Sequence, residues 1–145
     1  PAPYSVRSRV HEYGGGSWTR HEGVIYFSNF NDQRIYRHQP GEEPRPITPS
    51  ANLRYADGVI DPIRNRLICI REDHTVAGKE AVNALVSLDP TGKRGARILS
   101  ANSDFYAYPR LSPDGTAWRG FPGIIPICLG TGRNCGSRSS MRRAF

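Results

Sequence analysis

The chain has 145 residues, of which 37% are apolar and 10% aromatic: enough for one ordinary domain, and too apolar for a disordered segment. Its formal charge of +7 suggests a nucleic-acid or membrane-surface partner only until the charges are located. Residues 117–145 hold five arginines and no acidic residue, so residues 1–116 carry just +2, and neither partner class is expected.

In chain order, the first dense motif is His11-Glu12-Tyr13-Gly14-Gly15-Gly16-Ser17-Trp18. It lacks the Lys-Ser/Thr ending and following helix of a phosphate cradle, and Ser17 is not framed as a Gly-x-Ser-x-Gly nucleophile elbow. The glycines are read as structural, letting the backbone pass close to a neighbouring strand. Val24 to Phe27 and Arg34 to Arg37 are short β-rich runs joined by a turn at Ser28 to Gln33, a predicted hairpin. Pro44, Pro46 and Pro49 bracket Ile47 and permit only an edge strand there, because proline cannot donate to a ladder.

Four more strands are predicted at Tyr55 to Ile60, Leu67 to Ile70, Ala84 to Leu88 and Arg97 to Ser100, with turns at Asp61 to Asn65 and Asp89 to Gly92. Leu67 to Ile70 is apolar at consecutive positions, as expected of a strand covered on both faces. A further turn, Ser112-Pro113-Asp114-Gly115, opens a third unit.

These units recur at a fixed offset of 51 residues: Ile47 returns as Ile98, Tyr55 as Tyr106, Ala56 as Ala107, Ile60 as Leu111 and Pro62 as Pro113. A period of that length marks a blade-by-blade architecture, and four short strands per period is the count of a propeller blade. No segment has the length and period of an amphipathic helix. The expected class is all-β: an incomplete β-propeller of about two four-stranded blades over residues 1–116, followed by an irregular tail over 117–145. A synonymous back-translation of 117–143 with its first two bases dropped restores carboxylates and an apolar run in register with the repeat. The tail is therefore read as out of frame rather than as a native basic segment.

Two of the three cysteines, Cys128 and Cys135, fall in that tail and leave Cys69 alone in an apolar run. That predicts a reducing, cytoplasmic setting and no disulfide framework. The chain opens with Pro1 instead of Met, so its true start is expected upstream. His11, His21, His38 and His74 lack the regular spacing of zinc ligands, and neither metal nor cofactor is expected. Arg71-Glu72-Asp73-His74 follows a buried run and is placed at a strand end, either as a solvated set of ion pairs or as the lining of a channel or interface. Arg7, Arg9, Arg54 and Arg66 are expected to pair with nearby carboxylates.

The segments Val6 to Gly16, Tyr26 to Asn29, Arg54 to Pro62, Asn65 to His74 and Pro109 to Gly115, in that order, resemble the amino-terminal β-propeller of prolyl oligopeptidase family serine peptidases. The resemblance covers nearly all of residues 1–116 and is strongest to dipeptidyl aminopeptidase or acylaminoacyl-peptidase-like proteins. It implies a propeller seated over an α/β-hydrolase domain of the same parent chain, limiting entry to small or unfolded peptide substrates. The catalytic Ser, Asp and His of that family belong to the hydrolase domain, so no catalytic residue is assigned and this stretch is expected to be inactive alone. His11, Glu12 and Tyr13, with the run on to Trp18, and Arg71, Glu72, Asp73 and His74 are the candidates for wall or domain-interface contacts. The alternative is a stand-alone propeller-like binding or scaffold module.

Overall fold

The computed structural model describes residues 3–121 and 123–126. Within them the chain forms eleven strands and no helix: β1 (Trp18–His21), β2 (Val24–Ser28), β3 (Ile35–His38), β4 (Arg45–Pro46), β5 (Leu53–Asp61), β6 (Arg66–Asp73), β7 (Val82–Leu88), β8 (Arg97–Ser100), β9 (Ala107–Leu111), β10 (Ala117–Phe121) and β11 (Gly123–Pro126). They pair antiparallel into three sheets in the orders β1-β2-β3-β4, β5-β6-β7-β8 and β9-β10-β11. Strands β1 and β5 are in contact, as are β5 and β9, so the leading strands of successive sheets lie side by side. This is an incomplete propeller-like fold, without a closed barrel, among the described residues.

The local chemistry explains the connections. Glu22 and Gly23 both have positive φ, 48° and 79°, the geometry that a two-residue turn needs if it is to match the twist of β1 and β2. At the β5–β6 turn the Asp61 carboxylate accepts the N–H of Arg64 at 3.2 Å, a side-chain substitute for a backbone turn bond. Asp89 does the same for Thr91 at 2.9 Å, and Asp114 for Thr116 at 3.1 Å. Those two carboxyls are held down at about 2, Asp89 chiefly by the Thr91 N–H and Asp114 chiefly by the Ser112 hydroxyl.

Two apolar layers hold the sheets together. Leu67 and Cys69 on one face of β6 join Tyr55, Val86 and Leu88 against Tyr26 and Ile35 of the first sheet, with Ile47 between. Ile68 and Ile70 on the other face join Ala56 and Leu85 against Val10 and Tyr106. Four consecutive residues of β6 are therefore at most 1% exposed, and Leu67, Ile68 and Ile70 each contribute about 1.5–3 kcal/mol of burial. The run that the sequence marks as covered on both faces is the middle of this stack. Cys69 is a free thiol inside it, and burial pushes that thiol far up from its ordinary range.

The 51-residue repeat is visible in the register itself. Ile60 faces Leu67 and Leu111 faces Trp118; Val59 faces Ile68 and Arg110 faces Arg119; Ala56 faces Ile70 and Ala107 faces Phe121. A β-bulge interrupts both hairpins at the same place, with Asp57 at φ 56° and its counterpart Tyr108 at φ 50°. Regular structure thus runs past Thr116, where the sequence reading ends it: residues 117–121 occupy the place of 66–70 in the preceding unit. Of the irregular, out-of-frame tail expected over residues 117–145, the part from residue 127 on, with Cys128 and Cys135, lies outside the described residues.

Candidate functional site

The bulge at Asp57 ties the three leading strands together. Its Oδ1 accepts the N–H of Gly16, its Oδ2 accepts the N–H of Tyr108 at 3.1 Å, and its own N–H donates to the Gly16 carbonyl at 2.7 Å. The close approach explains Gly15 and Gly16: a Cβ on either would meet the Asp57 carboxylate at 3.0 or 2.9 Å. The glycine run is a packing device, as its sequence context indicates.

Asp57 fixes the segment before β1 against the start of β5, and there the two candidate motifs meet. Glu72, near the end of β6, is 5% exposed. Its Oε1 accepts the backbone N–H of His11 at 2.7 Å and lies 3.2 Å from Nδ1 of the same residue. The other ring nitrogen, Nε2, donates to the Tyr106 carbonyl at 3.0 Å, and the imidazole stacks on Phe105 with centroids 4.0 Å apart. The Oε2 of Glu72 lies 3.1 Å from His74 Nε2 and 3.8 Å from Arg54 Nη1. Arg54 also donates to Glu12 at 2.8 Å, and that hydrogen bond holds the exposed Glu12 carboxyl below its usual range. A nearly buried carboxylate is thus ringed by two imidazoles and a guanidinium, of which Arg54 brings the fixed positive charge.

Of the candidate residues, His11, Glu12, Glu72 and His74 come together in this cluster. Tyr13 stands beside it, its ring 5.9 Å from that of His11, and is 79% exposed. Arg71 and Asp73 do not join: alternation along β6 turns them to the other face, where Arg71 Nη2 lies 3.6 Å from Asp73 Oδ2. The Thr75 hydroxyl, donating to Asp73, is the main reason that its carboxyl sits below its ordinary range.

Arg54 is the member that sequence reasoning left out of the site. Counting outwards from the β5–β6 turn sets Arg54 opposite Asp73; the extra residue at the Asp57 bulge shifts it to face Glu72. The two pairings expected for Arg54 and Arg66 form, with Glu12 and Asp61. Among the described residues Arg7 and Arg9 make no close ion pair: both side chains lie over the ring of Phe30, with Arg9 still within electrostatic reach of Glu12.

Among solved structures, a Mycobacterium tuberculosis puromycin-hydrolysing peptidase superposes with a TM-score of 0.75 at 35% identity, over 83% of this chain and 21% of its own. A puromycin hydrolase gives 0.73 at 35% identity, over 83% of this chain and 22% of that one, and a mutant of puromycin hydrolase complexed with PGG gives 0.73 at 36%. Its structural neighbours are peptidases of the prolyl oligopeptidase family. The match lies in the N-terminal region of those prolyl oligopeptidase family chains, and this chain spans about a fifth of their length. No family model matches the sequence, and no curated protein does. Among the described residues no helix is long and apolar enough to cross a membrane, and no group of three or more His, Cys, Asp or Glu is placed to hold a metal ion.

Proposed function

We propose that this chain is the non-catalytic propeller portion of a serine peptidase acting on oligopeptides or aminoacyl amides, and that it gates substrate entry to a hydrolase domain of the same parent. The observation that carries the reading is the joint likeness in sequence and fold, 35% identity with a TM-score of 0.75, to a puromycin-hydrolysing peptidase. The His11–Glu72–His74 cluster with Arg54 and Glu12 supports a role as wall or domain interface. It is polar and rigidly cross-linked, and it joins three chain segments at one end of the sheets. Such a surface can exclude bulk and orient a peptide without bond-breaking chemistry of its own.

The test joins this coding sequence to its native downstream sequence and compares the product with the 145-residue chain on puromycin and on peptides of increasing length. Expected are no turnover by the chain alone and serine-dependent turnover by the longer protein. Arg54→Ala in the longer protein should relax the length limit, raising kcat/KM for the longest peptides on the order of tenfold, about 1.4 kcal/mol. Turnover by the chain alone, or a longer protein without peptidase activity, rejects the proposal.

A further inference from the structure

Arg7 and Arg9 flank Ser8, and both side chains leave the segment towards the ring of Phe30. Between them Ser8 is buried, and its hydroxyl donates to the Tyr55 carbonyl at 2.7 Å. The N–H of Arg7 donates to the Ser28 carbonyl at 3.1 Å, and that of Arg9 to the Gln33 side-chain oxygen at 2.8 Å. The backbone carrying the pair is therefore fixed in place before any ligand arrives.

Both arginines are exposed, and their guanidinium carbons stand over one ring, that of Phe30, at 4.8 and 4.3 Å from its centroid. The ring takes one side of each guanidinium, and no hydrogen bond among the described residues occupies the side-chain N–H groups of either. Among the described residues no close ion pair is made by Arg7 or Arg9, since Glu12 and Glu72 go to Arg54 and Glu42 to Arg37, although Arg9 is near enough to Glu12 to help hold its carboxyl down. Two positive charges held against one ring attract an oxyanion more strongly than either does alone. The pair also adjoins the cluster described above, since the Arg9 carbonyl accepts from Arg54 at 3.1 Å.

We propose that Arg7, Arg9 and Phe30 form a receptor for the carboxylate of a peptide, either its C-terminus or an acidic side chain. The choice of a peptide rests on the peptidase reading; the preference for an oxyanion rests on the geometry alone. A planar carboxylate can take two parallel N–H bonds from one guanidinium edge or one bond from each of two. Because the site is open to solvent, its strength is modest and falls with added salt.

The experiment follows the arginine side-chain Nε–H signals of the full chain by NMR during titration with three N-acetylated alanine tripeptides. One has a free C-terminus, one is the C-terminal amide, and one is the amide with a central Glu. Expected are shifts of the Arg7 and Arg9 signals with the free acid, the Glu peptide or both, according to the source of the carboxylate, and none with the neutral amide. Arg7→Gln or Arg9→Gln should weaken binding up to about fivefold each, and Arg20→Gln should leave it unchanged. Equal shifts with the neutral amide, unchanged binding in R7Q and R9Q, or a response to inorganic phosphate and to neither acidic peptide overturns the proposal. A parent protein without peptidase activity would remove the peptidase reading while leaving these shifts intact. An active parent whose arginine signals do not move would remove the receptor alone.

Discussion

Asp57 shows how much one side chain can organise in a fold of short strands. Its two carboxylate oxygens serve backbone N–H groups from the segment before β1 and from β9, while its own positive φ makes the bulge that aims it there. Replacement by Ala removes the acceptor from both N–H groups; Asp57 itself is 8% exposed, while Gly16 and Tyr108 are exposed, so water replaces part of what is lost. The expected cost is about 1–3 kcal/mol, read as a lower urea midpoint at an unchanged slope. Asp57→Asn keeps one acceptor oxygen and should recover part of that loss. A midpoint for Asp57→Ala within experimental error of the wild type would show that the three leading strands are held by something else. The sequence reads Tyr55 to Ile60 as one strand, and nothing in it names Gly16 and Tyr108 as the groups that Asp57 serves.

At the scale of the strand, β6 was legible and the edges were not. Its run of apolar residues predicts cover on both faces, and Ile68 is fully buried. Ile98 is its instructive contrast. By the 51-residue offset it is the counterpart of Ile47, which is 7% exposed, yet Ile98 on β8 is 53% exposed. The difference lies in what the next sheet brings: the turn at Gly92 closes over Ile47 so tightly that a Cβ on Gly92 would meet the Ile47 Cα at 2.9 Å. Ile68→Ala should therefore cost about 2–5 kcal/mol and Ile98→Ala no more than about 0.5, measured by urea denaturation of the two variants side by side. Comparable losses in both would contradict the assignment of β8 as an outer strand. The same local limit applies to the site, where Arg54 reaches Glu72 only because a bulge moves the hairpin register by one residue.

At the scale of the molecule, the second sheet is, among the described residues, the one with apolar cover on both faces, from Tyr26 and Ile35 on one side and from Val10 and Tyr106 on the other. Amide hydrogen exchange should consequently be slowest in β6 and β7, between Leu67 and Ile70 and between Ala84 and Val86. It should be faster in β4 and β8, which have a sheet neighbour on one side only. Uniform protection across the first two sheets would argue against a stack centred on β6. The period of 51 residues, the strand and turn chemistry, the all-β class and the family likeness all follow from the order of residues along the chain, because hydrophobic alternation and turn residues act over a few positions. The meeting of His11 with Glu72 across 61 residues, the transfer of Arg54 to that pair and the stacking of Arg7 and Arg9 on Phe30 were decided only by the tertiary structure. Each depends on a bulge, a register or a sheet-to-sheet approach that sums contributions from distant segments, and no local pattern encodes that sum.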